Sequence, residues 1–75
     1  MKELVRKIVH AIVDYPEEVD IEEIKGLNTV ILEIKVSKRD VGKLLGRKGR
    51  NIAALRNIVS AADKWKRHHI INVIE

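Results

Sequence analysis

Hydrophobic residues recur at helical spacing at the start of the chain. Between residue 2 and about residue 13 they form one stripe, and Lys2, Arg6 and Lys7 lie outside it. A repeat near 3.6 residues is typical of an amphipathic helix with one face in a core. Pro16 is expected to end this helix, because a residue before proline disfavours the helical conformation. The stripe consists of Leu4, Val5, Ile8, Val9 and Ile12.

The spacing then changes to the alternation expected of strands. Glu17 to Lys25 alternates until Ile24 breaks the period of two, which predicts a short strand with an irregular end. Thr29 to Val36 alternates throughout and is the strongest strand pattern in the chain. The intervening Gly26-Leu27-Asn28 predicts a tight turn, and so short a connection requires antiparallel strands.

Two helices and a last strand are predicted for the remainder. Ser37 and Asp40 have the spacing of a capping box, which is expected to begin a brief helix that reaches about Leu45. Apolar residues at helical spacing predict a longer helix from about Arg50 to Lys64. A basic connector, Trp65 to His69, and a strand, Ile70 to Ile74, follow.

These elements predict an α+β fold with a three-stranded mixed sheet. After two helices, the last strand is expected to lie parallel to the strand 29–36, because such connections return as crossovers. Three helices then cover the sheet, in the order helix, strand, strand, helix, helix, strand. The length of 75 residues allows one domain, residues 1–75.

Composition narrows the class of protein. With 45% hydrophobic and 35% charged residues the chain is expected to be globular. It has no cysteine, which excludes disulfides and cysteine-ligated zinc. No apolar run approaches the roughly 20 residues of a membrane span, and the first residues do not resemble a signal peptide. A cytoplasmic protein without a membrane partner is therefore expected.

The net charge of +4 conceals two halves of opposite sign. Residues 1–34 contain four Lys/Arg and eight Asp/Glu, whereas residues 35–75 contain eleven and three. Cations concentrated in one half favour a polyanionic partner.

The basic half contains the loop Gly46-Arg47-Lys48-Gly49 between the two predicted helices. Glycine accepts positive φ and permits the close approach of another backbone. The second helix adds unpaired N–H groups and a positive dipole end, which together attract phosphate. The loop therefore predicts a phosphate-binding site.

Val41 through Ile52 resembles the core of a KH domain. In that family a G-x-x-G loop between two helices clamps the backbone of about four nucleotides. The resemblance extends to the aliphatic residue before Gly46. It also includes Ile52, which stands three positions after Gly49. The order of elements resembles the type II KH arrangement and covers essentially the whole chain. A glycine-capped helix hairpin is the simpler alternative, but it does not account for the cations in the turn.

The resemblance implies a function and a set of contacts. The implied partner is single-stranded RNA, held by the loop with its basic neighbours Lys43 and Arg50. Leu44, Leu45 and Ile52 would line the floor of a groove, together with Val41 and Ile71, although some of these residues are expected to be core instead. The basic segment 64–68, with Lys66 and Arg67, would form the opposite side of the groove.

A chain of this length resembles the small bacterial KhpA-like RNA-binding proteins. That resemblance implies a post-transcriptional regulator or RNA chaperone. It also implies a homodimer, or a heterodimer with a larger protein that carries its own KH domain.

Other classes receive less support. No Ser/His/Asp or lysine-based catalytic arrangement is present, and residues 42–49 lack the Lys-Ser/Thr of a P-loop, so no enzyme, small-molecule substrate, cofactor or metal is expected. A DNA-binding helix-turn-helix and a protein interaction module stay open as alternatives. Trp65 is expected to anchor its helix to the sheet rather than to stack on a base, although both roles remain open.

Overall fold

The computed structural model describes all 75 residues. The predicted order of three helices and three strands is confirmed. Short 3-10 turns lie at Pro16–Glu18, Lys38–Asp40 and Arg47–Gly49. The elements are α1 (Lys2–Ile12), β1 (Asp20–Lys25), β2 (Thr29–Lys35), α2 (Val41–Leu45), α3 (Arg50–Ala62) and β3 (His68–Ile74).

The three strands form one mixed sheet in the order β1-β2-β3. β1 and β2 are antiparallel, with Ile24 opposite Ile31, and β2 and β3 are parallel, with Ile31 opposite Ile70. Both predicted pairings are confirmed. Because β3 pairs only with β2, its other edge is open.

The core lies on one face of the sheet. Val30, Leu32 and Ile34 alternate along β2 and are completely buried, as expected for a strand with one covered face. The helices complete the core with Val5, Val9, Leu44, Leu55 and Val59. None of the helices is long and apolar enough to cross a membrane.

The first strand is shorter than predicted. Pro16–Glu18 is a 3-10 turn, and the strand begins only at Asp20. Proline fixes φ near the helical value and suits the first position of such a turn, where Val19 N–H donates to Pro16 O at 3.1 Å. The alternation at residues 17–19 therefore reflects chance spacing in a turn.

The predicted capping box is wrong, because Asp40 bonds elsewhere. Ser37 Oγ does accept the Arg39 N–H at 3.2 Å. The Asp40 carboxylate instead accepts the backbone N–H groups of Asp14 at 3.0 Å and Tyr15 at 2.9 Å. Asp40 is completely buried, so these two bonds fix the end of α1 against the start of α2.

The ends of α3 and β3 also differ from the prediction. α3 ends at Ala62 rather than at Lys64, and β3 begins at His68 rather than at Ile70. The side chain of Asp63 accounts for the early helix end, since it accepts the Trp65 N–H at 3.0 Å in a non-helical turn. His68 joins the sheet because its N–H donates to Asn28 O at 2.8 Å.

Candidate nucleic-acid interface

Three of the four residues in the loop between α2 and α3, Gly46 to Gly49, have positive φ. Gly46 and Gly49 have φ of 76° and 72°, and Lys48 between them has φ of 58°. The Gly49 N–H donates to Gly46 O at 3.1 Å, which closes the turn. Arg47 and Lys48 are exposed at its outer side. The predicted loop thus forms a tight, cationic turn at the start of α3.

Gly46 and Gly49 are required for different reasons. A Cβ atom on Gly46 would lie 2.7 Å from Asn51 Cγ and 2.8 Å from Asn51 N, closer than non-bonded atoms approach. A Cβ on Gly49 would meet nothing nearer than Ile52 Cγ2 at 3.9 Å. Space and backbone conformation both demand glycine at position 46, and conformation alone demands it at position 49.

Asn51 fixes the angle between the two helices. Its Nδ2 group donates to Lys43 O near the end of α2 at 2.9 Å, across the loop. The bond satisfies one of the carbonyl groups that a helix end leaves unpaired. The sequence pattern does not predict this contact of Asn51. The only indication of this contact in the sequence is a short polar residue two positions after the second glycine.

The basic residues around the loop divide into free and paired groups. Arg47, Lys48 and Arg50 are exposed and take part in no ion pair. Lys43 Nζ lies 2.6 Å from Asp14 Oδ2, and this hydrogen bond, followed by the attraction of the carboxylate charge, raises the pKa of Lys43 above its ordinary value. A phosphate has unrestricted access to the first three cations but must compete with Asp14 for Lys43.

An open groove of about 480 Å³ lies beside the loop, between the helices and β3. Its lining includes Val41, Leu45, Ile52 and Ile71, which the resemblance places beside an RNA-binding groove. Its remaining lining residues are Glu33, Arg56, Asn72, Val73 and Ile74. Arg56 and Asn72 were not predicted, although Arg56 stands one helical turn after Ile52 and on the same face.

Leu44 does not line the groove, and the prediction that it does is wrong. It is only 1% exposed and belongs to the core. Successive helical residues differ in direction by about 100°, so α2 directs Leu44 and Leu45 to different sides. Only one of the two adjacent leucines faces the groove.

The groove has an apolar floor and a hydrogen-bonding wall. Val41, Leu45 and Ile52 supply the floor from the helices. β3 supplies the wall, because an edge strand leaves backbone N–H and C=O groups without partners. Flat apolar groups with polar rims fit such a surface, while the loop at its end can hold an anionic backbone.

Lys66 and Arg67 do not form an opposite side of this groove. Neither residue lines it, and they follow the far end of α3, whose 13 residues span about 20 Å. Arg67 is bound to Asp63, with Nε 3.1 Å from Oδ2. The expected packing of Trp65 against the sheet is also wrong, because Trp65 is 73% exposed.

Comparison with known proteins identifies the family. Residues 2–73 match the family model described as KhpA/KhpB, KH domain. RNA-binding protein KhpA of Chlamydia trachomatis serovar D is 48% identical over 65 residues, which cover 85% of this chain and 83% of the relative. RNA-binding protein KhpA of Caldanaerobacter subterraneus subsp. tengcongensis is 43% identical over 75 residues, covering 99% of this chain and 100% of the relative.

RNA-binding protein KhpA of Clostridium perfringens is a further relative, 48% identical over 62 residues and covering 83% of both chains. No solved structure gave a significant match. The family model spans nearly the whole chain, and the Caldanaerobacter relative aligns along its full length. The chain therefore belongs to the KhpA/KhpB family of KH-domain proteins.

Proposed function

We propose that this chain is a cytoplasmic, non-enzymatic protein that binds single-stranded RNA through the Gly46–Gly49 loop and acts as a bacterial RNA chaperone or post-transcriptional regulator. The observation that carries the proposal is the loop itself. Three exposed, unpaired cations surround a turn that opens onto an apolar groove. The names of the relatives, which are RNA-binding proteins, support RNA as the polyanion.

Binding divides into a backbone contact and a base contact. Phosphates lie against the loop, where Arg47, Lys48 and the positive dipole end of α3 supply positive charge. Bases then lie on the floor formed by Val41, Leu45 and Ile52. The open edge of β3 is available to hydrogen bond with the rims of these bases, which single strands leave exposed.

The loop is tested by replacing Arg47 and Lys48 with aspartate. Asp tolerates the left-handed conformation of residue 48, and both glycines stay, so circular dichroism should not change. Two anions in the phosphate site should lower the affinity for a short single-stranded RNA by about 100-fold. Fluorescence anisotropy with a labelled RNA measures the loss.

The matched control is Lys2→Glu with Lys7→Glu. It changes the net charge by the same amount on α1, outside the groove. If both double variants lose affinity equally, binding follows net charge and the loop is not the site. Unchanged affinity in the aspartate variant with intact circular dichroism leads to the same conclusion.

Salt dependence separates this proposal from binding to duplex DNA by a helix-turn-helix. A site of about four nucleotides contacts few phosphates, so log K against log salt should have a slope of about −2 to −3 for RNA. A slope near about −8, or equal affinity for a duplex, would instead indicate a broad duplex-binding surface. Titration across a series of salt concentrations decides between them.

We further propose that the protein acts in pairs, as a homodimer or with a larger KH-containing protein. A single site for about four nucleotides has limited selectivity, whereas two coupled sites raise avidity by about 10² to 10⁴. A family model whose description includes both KhpA and KhpB supports a related partner.

A further inference from the structure

The turn after α3 is held in one conformation by Asp63. Its buried carboxylate accepts the backbone N–H groups of Trp65 at 3.0 Å and Arg67 at 3.3 Å. The Arg67 guanidinium binds both carboxylate oxygens, at 3.1 and 3.3 Å. Lys66 N–H donates to Asp63 O at 3.1 Å. A turn with this many hydrogen bonds presents the exposed side chain within it in a defined position.

That side chain is Trp65, which is 73% exposed and is the only tryptophan in the chain. Indole rings bury a large apolar area in most proteins, and this one has no such partner. The turn between β1 and β2 is adjacent, since His68 N–H donates to Asn28 O at 2.8 Å. Leu27 in that turn is 95% exposed. Two large apolar side chains are thus uncovered at this end of the sheet.

The charges around Trp65 are of one sign. Lys64 and Lys66 are its immediate neighbours, and both are exposed. Residues 25–32 and 64–71, the segments that meet at this end, contain no acidic residue. Asp63 is the nearest carboxylate in sequence and is neutralised by Arg67. The exposed ring therefore lies in a field that attracts anions.

We propose that Trp65 is a second RNA contact, where a base stacks on the indole ring while Lys64 and Lys66 face the neighbouring phosphates. The inference rests on the proposed function and extends it to a longer strand. Every base has a flat face, so an exposed tryptophan binds single strands with little regard to sequence. Lysine is depleted at the centre of protein interfaces, which makes a protein partner the poorer match for a tryptophan flanked by two lysines.

The distance between the two sites sets the length of RNA required. α3 separates the loop from Trp65 by about 20 Å. An RNA of about four nucleotides fills the groove alone. An RNA of about 10 nucleotides is long enough to continue along α3 to the indole ring, within the range covered by single-strand binding sites.

Trp65 reports on its own contact, because it is the only tryptophan. With excitation that spares Tyr15, an RNA of about 10 nucleotides should quench the fluorescence on binding, whereas one of about four should not. Trp65→Leu keeps an apolar side chain but removes the flat ring. It should lower the affinity for the longer RNA about 5- to 100-fold and leave the shorter RNA unaffected. Trp65→Phe should recover part of the loss.

The outcomes separate this inference from the proposed function. If the Arg47/Lys48 variant loses affinity but Trp65→Leu binds both RNAs as the native chain does, only the second contact is overturned. If neither variant matters, the loop and the second contact are both wrong. If Trp65 fluorescence shifts with protein concentration in the absence of RNA, and Trp65→Leu prevents that shift, the ring belongs to a protein interface and the inference is overturned.

Discussion

At the scale of single residues, Gly42, Gly46 and Gly49 lie in three different environments. Gly46 combines positive φ with a neighbour too close for a Cβ atom, and Gly49 has positive φ with free space. Gly42 lies inside α2, where a Cβ would meet nothing within 4 Å. The same substitution should therefore have different effects at the three positions.

Alanine at these glycines should give a graded series of stabilities. Gly46→Ala should be the most damaging, by about 2 to 5 kcal/mol, because strain adds to the overlap with Asn51. Gly49→Ala should cost about 1 to 2 kcal/mol for its conformation alone. Gly42→Ala should stabilise by about 0.5 to 1 kcal/mol, since alanine is the better helix former. Urea unfolding measures all three.

The order of the three effects is the critical result. Equal losses at positions 46 and 49 would mean that the contact with Asn51 relaxes without cost. A loss at position 42 would contradict its open surroundings. Stability is measured without RNA, so this series is independent of the proposed function.

The sequence anticipated the residues of the loop better than those that hold it in place. Glycine spacing and cations are local patterns, and the structure has them where predicted. Asn51 bonding to Lys43 O and Asp40 bonding to Asp14 and Tyr15 are contacts between separate segments. Nothing in the local pattern distinguishes the Asp40 carboxylate from a capping residue, which is why the capping box was predicted incorrectly.

At the scale of elements, hydrophobic periodicity predicted each helix and strand, but tertiary bonds set their ends. Asp63 is the clearest case. Its carboxylate ends α3 and holds the following turn. The same carboxylate lies beside His69, whose Nε2 is 2.9 Å from Oδ2 but too poorly aligned for a hydrogen bond. The sequence showed only one acidic residue in a basic segment.

The stability of this turn should depend on acid pH through Asp63. The hydrogen bond from Arg67 is the main cause that lowers the pKa of Asp63 from 3.8 to about 2. The ionised form of Asp63 is therefore more strongly favoured in the folded state than in the unfolded chain. The contribution of ionised Asp63 to the free energy of unfolding is complete above about pH 5 and is lost as pH falls toward 2.

Asp63→Asn removes this contribution while preserving the shape of the side chain. The variant should have a lower urea midpoint than the native chain near neutral pH, and the difference should shrink below about pH 4. Glu17→Gln is the control, since it removes an exposed carboxylate without an ion pair. A difference that stays constant down to about pH 2 would show that the charge of Asp63 does not stabilise the turn.

At the scale of the whole molecule, two features matter: the small size of the chain and the face of the sheet that the helices leave uncovered. A chain of 75 residues buries a small fraction of its surface and gains from association. The helices cover only one face of the sheet. On the other face Ile24, Ile31 and Ile70 form a cross-strand row, with Ile24 53% and Ile70 38% exposed. The sequence predicted this sheet but not which apolar residues it leaves uncovered, because that depends on where the helices pack.

Association of two copies is the prediction at this scale. Sedimentation velocity over a wide range of protein concentration should show a reversible shift from the monomer to the dimer. Pairing offsets the small core of each chain and couples two RNA sites, which increases avidity for an RNA that spans both sites by about 10² to 10⁴. Trp65→Leu should associate as the native chain does, because Trp65 is assigned to RNA rather than to the partner. The protein could instead remain a monomer at every concentration, with and without RNA, and no KH-containing protein could be recovered with it from a native lysate. These two results together would show that the proposal of a paired protein is wrong.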